Sequence, residues 1–457
     1  MEEPRVNRIG QDFSLFGLLK FVFPSILTNI FTQIFKTLDD GLFVSRFVGK
    51  TALAGLNILT PLHFIQFSVN SLFSIGAPNI SSRLMGEGKQ KEAKQVFSRA
   101  VIAAFSVGAS LALLSNLFAR PLLTFLGADE ELIGFGLISI RTVFLAAPLS
   151  MVNVLFNSYY STAGKPSMGL FCSILNGSVN IILDIVLIAV MKVGVLGACL
   201  STMFGEIAVF IVGLAFFSNK NNEIHFVPPE GRILPTAIES CRNGLPQSFN
   251  TLSASLTSLI ANYQLLRYVG NDGVAANSII TDLRRILTAA FFGFTLTIGP
   301  IVSYACGSRN YARLRKLMRQ TLILWVGGSV LFSVTGLLLR HPLISIFLKA
   351  DDNAQAFYEM TRFGLTAEFL GILFFSGCVI LSRLFTAVRL RLVSSAFSLI
   401  RSLVVRCVCL LGLPLLLGVT GIWIANPVCE LVSFMIGTAL FLSHRGVFGF
   451  GSREQAS

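Results

Sequence analysis

Long apolar runs recur from one end of this chain to the other, and they constrain the fold more than any other feature. A helix needs roughly 20 apolar residues to cross the hydrocarbon core of a bilayer. About twelve runs are long enough: residues 15–38, 53–79, 96–118, 132–158, 168–191, 195–217, 236–266, 274–304, 319–339, 357–385, 392–413 and 419–442. Lipid satisfies no backbone polar group, so only helices and closed barrels span it. A barrel would need alternating segments of about ten residues, and these runs do not alternate. The expectation is an all-α polytopic membrane protein. Composition agrees: of 457 residues, 53% are hydrophobic and 13% charged, about half the charged share of a soluble protein. The polar N-terminus leads straight into the first run, which predicts no cleavable signal.

The formal net charge is +13. In a soluble chain that would raise nucleic acid as a partner. Here the basic residues gather after even-numbered runs: Arg83, Lys89, Lys91, Lys94 and Arg99, then Arg309, Arg313, Arg315, Lys316 and Arg319, then Arg389 and Arg391. Loops after odd runs mix signs. Cytoplasmic loops favour Lys and Arg, so the pattern predicts a plasma (inner) membrane protein with both termini in the cytoplasm and no nucleic-acid partner. The eight cysteines are scattered, mostly inside runs, without disulfide or metal spacing.

The chain repeats itself. Phe47-Val48-Gly49 returns as Tyr268-Val269-Gly270, an offset of 221, and at that offset Ala54 falls on Ala275, Ser82 on Ser303 and Gly86 on Gly307. Further on the offset is 224: Thr162-Ala163 falls on Thr386-Ala387, Gly197 on Gly421 and Glu206 on Glu430. This predicts two pseudo-symmetric six-helix lobes, 1–217 and 236–457, joined by a polar cytoplasmic linker over 218–235 that carries Pro228-Pro229. An even number of spans per half makes the repeats parallel, about an axis along the membrane normal, and bundles that rock about a central cavity form a common transporter plan. One chain holds a full transport path, so a monomer is expected to function.

Charged side chains inside membrane spans are costly and tend to face a cavity or a partner. In the first run Asn29, Gln33, Lys36 and Asp40 follow helical spacing; in the fifth, Ser173, Asn176, Asn180 and Asp184 do. Two such stripes in one bundle are expected to face each other. Asp40, Asn180 and Asp184 offer the hard oxygens that suit Na⁺, or an acid able to take a proton. At the repeat offsets Asp40 falls on Ala261 and Asp184 on Val408, which confines the ion site to the first lobe. Lys36, one turn before Asp40, is read as a counter-charge or modulator, with Gln33, Asn29 and Asn176 as further polar contacts. In the second half Glu368 is the acid to weigh as a substrate contact, Asp282 and Arg285 are spaced as a pair, and Glu206 and Glu430 share one structural place. No phosphate loop and no nucleophile–base set is present, so neither an enzyme nor a bound cofactor is expected.

Several motifs together resemble the multidrug and toxic compound extrusion (MATE) family. They are Asp40-Gly-Leu-Phe-Val-Ser-Arg-Phe-Val-Gly49, Asn180-Ile-Ile-Leu-Asp184, Ala163-Gly-Lys-Pro166, Gly194-Val-Leu-Gly-Ala198 with Thr202, Gly244-Leu-Pro-Gln247 and Pro300-Ile-Val-Ser-Tyr304. The resemblance implies twelve helices in two lobes around a V-shaped cavity. It implies export of mostly cationic, amphipathic small molecules, coupled to inward Na⁺ or H⁺ flow. It points to the DinF-like branch, whose ion site maps onto Asp40, Asn180, Asp184 and Thr202, a set that would hold Na⁺. Lys36 departs from the family pattern, as do Ser45 and Val388-Arg-Leu390. A lipid-linked oligosaccharide flippase of the wider superfamily is the second reading; its basic pyrophosphate cavity contrasts with the acids of the first lobe here.

Overall fold

The computed structural model describes residues 8–38, 44, 47–345 and 354–450. The first half contains α1 (Leu15–Leu38), α2 (Lys50–Asn57), α3 (Thr60–Gly86), α4 (Gln90–Leu117), α5 (Ala119–Phe125), α6 (Glu130–Ser139), α7 (Ala147–Thr162), α8 (Pro166–Asp184) and α9 (Val195–Ser218). The second contains α10 (Ile233–Tyr268), α11 (Asn271–Gly307), α12 (Tyr311–Ser345), α13 (Ala354–Ala387), α14 (Arg391–Leu399), α15 (Arg406–Leu417) and α16 (Val419–Ser443). π-helical turns occupy Ile140–Phe144, Ile185–Val190 and Ile400–Val405.

Among the described residues ten helices are long and apolar enough to cross a membrane, and a bent pair, Glu130–Phe144 with Ala147–Thr162 at 51°, makes an eleventh. The expected twelfth is α10, which is 36 residues long but carries Asn243, Gln247, Asn250, Thr251 and Ser253 along its length. Several of these line an interior cavity, so α10 is long enough to cross yet too polar to stand out by composition.

The repeat is visible in the backbone. Gly49 and Gly270, offset by 221, precede α2 and α11 with φ of 122° and 87°. Gly194 and Gly418, offset by 224, precede α9 and α16 with φ of 72° and 58°. Only glycine adopts such dihedrals freely, so the same turn is cut at the same place in each lobe. Hydroxyls repeat too. Ser82 donates to Thr162 Oγ1 at 3.3 Å, and its counterpart Ser303 donates to the Ala387 carbonyl at 3.2 Å.

The lobes meet where helix backbones touch. A Cβ on Gly86 would stand 2.2 Å from the Tyr304 carbonyl oxygen, and one on Gly307 2.2 Å from that of Arg83. These two contacts exchange under the 221 offset, so the α3–α11 crossing is its own image. A Cβ on Gly244 would stand the same 2.2 Å from the Leu72 carbonyl oxygen, and one on Gly293 from that of Ser25. Between them Thr297 reaches Ser25 at 2.7 Å and Ser161 at 3.0 Å. All these contacts lie in the half of each helix nearer the basic loops, and one apolar core, including Ile80, Phe156, Ile301 and Phe385, crosses from lobe to lobe there.

This packing makes a prediction. Gly307→Ala puts a methyl against a backbone carbonyl, an overpacking that costs about 1–3 kcal/mol. Its melting temperature in detergent should fall, whereas Gly327→Ala, which meets open space, should leave it level or slightly raised. Equal melting temperatures for the two variants would contradict the seam.

Candidate functional site

The first-lobe site is built at the end of α8. Asp184 is fully buried and Asn180 is 6% exposed. Asp184 closes α8 where the helix widens into the π turn Ile185–Val190; such turns often accompany functional sites. Across from it on α9, Ser201 donates to Asp184 Oδ1 and also lies 2.8 Å from the Ala198 carbonyl. A hydroxyl has one proton to give. It serves the carboxylate when Asp184 is charged, and the carbonyl when a protonated Asp184 donates to Ser201 instead. The site therefore accommodates both protonation states without moving a backbone.

Next to it Asn180 Nδ2 donates to Thr202 Oγ1 at 3.4 Å, and Thr202 donates to the Ala198 carbonyl at 3.1 Å. Asn180 Oδ1 is buried and has no hydrogen-bond partner among the described residues. A buried acceptor without a donor is expensive, and a cation or a protonated acid would satisfy it. The donor set of carboxylate, carboxamide and hydroxyl oxygens fits a hard cation such as Na⁺.

The structure brings Asn180, Asp184 and Thr202 together. Asp40 lies outside the described residues, as does the side chain of Lys36. α1 and α8 meet through Thr32 and Ser173 at 2.8 Å and through Ser173 and the Thr28 carbonyl at 3.3 Å; on α1 the two threonines stand one residue before Asn29 and Gln33 of the expected stripe. Asn29 donates to the Ser25 carbonyl of its own helix at 3.0 Å, and Gln33 is half-buried. Asn176 rests against α9 where Gly205 leaves room for its carboxamide oxygen. Ser201 escaped the sequence reading because a serine in an apolar run carries no signal of its own; only its approach to Asp184 reveals it.

The second lobe holds charges of both signs. Glu368 accepts from Asn426 Nδ2 at 2.7 Å and faces Arg284 Nε at 3.8 Å. Glu430 accepts from Arg401 at 2.8 Å and from Arg406 at 3.4 Å. Glu206 accepts from Asn153 at 2.6 Å, so the equivalent glutamates keep their place while exchanging an amide partner for two arginines. Asp282 and Arg285 pair at 3.3 Å. Between the lobes a separate polar cavity is lined by Ile75, Asn243, Gln247, Asn250, Phe292 and Arg383.

At the basic end the N-terminal segment ties the lobes together. Arg313 donates to the Ile9 carbonyl at 2.5 Å, Gln320 to that of Phe13 at 2.8 Å, and Lys316 pairs with Asp12 at 2.9 Å. On the other side the Arg8 backbone N–H donates to Glu223 at 3.1 Å. Glu223 lies in the non-helical segment between α9 and α10, which is itself fastened to α4 by Gln95 through the Pro228 carbonyl and the Glu230 N–H. Burial lifts the Glu223 carboxyl from the ordinary 4.5 to about 7, against the pull of the Arg8 N–H and of the Arg8 and Lys165 charges.

Two six-helix halves that repeat each other, with buried ionisable groups at membrane depth, are the architecture of a secondary transporter. The MatE family profile matches residues 24–186 and 246–411, one stretch in each half. The chain belongs to the MatE family of transporters. It is 23% identical over 432 residues to the multidrug export protein MepA of Staphylococcus saprophyticus subsp. saprophyticus, covering 92% of each chain. A MATE structure solved in complex with MaL6 superposes with a TM-score of 0.88 at 17% identity, covering 98% of this chain and 99% of that one. An outward-facing multidrug resistance MATE family transporter of the MOP superfamily gives 0.87 at 17% identity, over 98% and 100%. At such identity these two likenesses establish the fold.

The raised Glu223 gives a pH prediction. The folded protein keeps a proton that the unfolded chain releases between pH 4.5 and about 7. Stability should therefore fall as pH rises through that window and level off above it. Glu223→Gln should flatten the melting-temperature profile there; a wild-type slope in the variant would refute the assignment.

Proposed function

We propose that this protein is a secondary active exporter of amphipathic organic compounds, driven by inward flow of H⁺ or Na⁺ through the first lobe. Its basic end faces the cytoplasm of a plasma (inner) membrane, as the bias of Lys and Arg to one side supports, and a single chain carries the path. The protein moves its substrates without chemically altering them and holds no cofactor besides the coupling ion.

The observation that carries this reading is the buried Asp184, facing a hydroxyl that serves either of its protonation states. Beside it the unpartnered Asn180 oxygen waits for a cation or donor. In this proposal Asp40 and Asp184 are the acids that take the coupling ion, and Asn180, Thr202 and Ser201 complete the coordination. Ion binding in one lobe biases the equilibrium between seam-closed and seam-open states, which is how a gradient does work on a two-state protein. The names of the relatives, MepA among them, support multidrug export as the direction of that work.

The test is efflux from proteoliposomes with the Na⁺ and H⁺ gradients collapsed separately. Wild type should lose efflux with one gradient only, which names the ion. Asp40→Asn and Asp184→Asn should lose coupled efflux while remaining folded and inserted, and Ser201→Ala should slow it about tenfold, the worth of one charge-assisted hydrogen bond. Normal coupled efflux by the two Asn variants would sink the first-lobe mechanism.

A further inference from the structure

The second lobe holds a charged cluster that shares one position with the first-lobe site. At the 224 offset Thr202 corresponds to Asn426 and Glu206 to Glu430, while Asp184 corresponds to Val408. Arg284 and Glu368, which face each other at 3.8 Å, fall at offsets of 221 and 224 on His63 and Phe144, whose rings pack at 4.9 Å in the first lobe. A ring contact in one lobe is an ion pair in the other. Around that pair, three arginines (284, 401 and 406) meet two glutamates (368 and 430), an excess of one positive charge among the described residues. The side chains of all five are 6–23% exposed. At 1.5 Å per residue, Arg284 sits about 20 Å and Glu430 about 17 Å from the far ends of their helices, deep in the span.

The arginines are not used up. The Arg284 side chain makes no hydrogen bond among the described residues, and its Nε is buried without one. Arg406 reaches Glu430 through one terminal nitrogen, and its Nε is likewise unpartnered. Both line a cavity with Thr288, Phe375 and Asn426. A guanidinium offers five donors in a planar fork suited to carboxylate or phosphate. Two of them, incompletely paired at membrane depth, are costly unless something anionic is held there. On α13, the helix of Glu368, Arg383 has neither hydrogen bond nor ion pair among the described residues and lines the interlobe cavity.

From this placement we infer that the second-lobe cavity binds an oxyanion group, carboxylate or phosphate, held by Arg284 and Arg406. Asn426 supplies a further donor, and Glu368 tunes the site by occupying Arg284 when the ligand is absent. The inference deepens the transporter reading and gives the cargo an anionic group, where the family resemblance leads one to expect mostly cations. The same oxyanion chemistry is offered by a soluble cargo and by an anionic lipid headgroup.

The test is equilibrium binding of fluorescein, an aromatic carboxylate, to the purified full-length transporter by fluorescence anisotropy, with the cation ethidium as the opposite probe. Arg284→Gln should weaken fluorescein by about tenfold, one charge-assisted contact, and leave ethidium unchanged. Glu368→Gln, which keeps the bond from Asn426, should tighten fluorescein several-fold. A merely structural ion-pair network predicts no such gain. Equal fluorescein affinity in wild type and Arg284→Gln would overturn the site, as would weaker binding in Glu368→Gln, which stands as the check should Arg284→Gln fold poorly. Repeating the titration in phosphatidylcholine nanodiscs with and without phosphatidylglycerol identifies the occupant. Competition by phosphatidylglycerol marks a lipid headgroup, and its absence a soluble anion; both support an oxyanion site. No gradient is present in the titration, so its failure leaves ion-coupled efflux standing, and a failure of efflux leaves the binding result intact.

Discussion

Everything in this molecule depends on the direct contact of helix backbones at the seam between the lobes. In lipid no hydrophobic force draws helices together, so close packing through small residues takes its place. Gly86 against Tyr304 and Gly307 against Arg83 bring α3 and α11 together across the repeat axis. Gly244 and Gly293 do the same for the α10–α3 and α11–α1 crossings. With backbones this near, the adjoining hydroxyls fall within hydrogen-bond reach of one another. Side chains further out then spread into separate lobes.

On that frame the two halves have diverged chemically. The first keeps carboxylate and amide at the α8–α9 contact, with a π turn directly after Asp184. The second places its π turn around Arg401 and fills the matching region with arginine–glutamate pairs. In the mechanism we propose, the repeated scaffold supplies a site in each lobe, and their opposite charges let an ion and a cargo act on the same equilibrium without competing for the same groups.

Much of this was legible in the sequence. The apolar runs located the crossings, and the offset of 221 paired Gly86 with Gly307, whose contacts in the structure are images of each other. The stripe Asn180–Asp184 pointed at its site because polar residues at helical spacing in an apolar run must turn away from lipid, toward a cavity or another helix. What was not legible depends on tertiary approach. Ser201 means nothing until α9 lies beside Asp184. Glu368 looked like a free acid for cations until α11 brought Arg284 and α16 brought Asn426 to it. Sequence overstates the apolar character of α10, because a helix facing a polar cavity exchanges hydrophobicity for amides.

The hydroxyl cluster of Ser25, Ser161 and Thr297 carries one further consequence. Hydroxyls at an interface trade a neighbour for water with little change in the number of bonds made, so parting the lobes here leaves no orphaned charge behind. The middle of the seam is also electrically neutral. The membrane potential exerts about 2.3 kcal/mol per elementary charge per 100 mV only on groups that carry charge through the field. It therefore has no direct grip on this contact, and voltage reaches a conformational change through charges held elsewhere in the lobes, the arginine–glutamate cluster of the second among them.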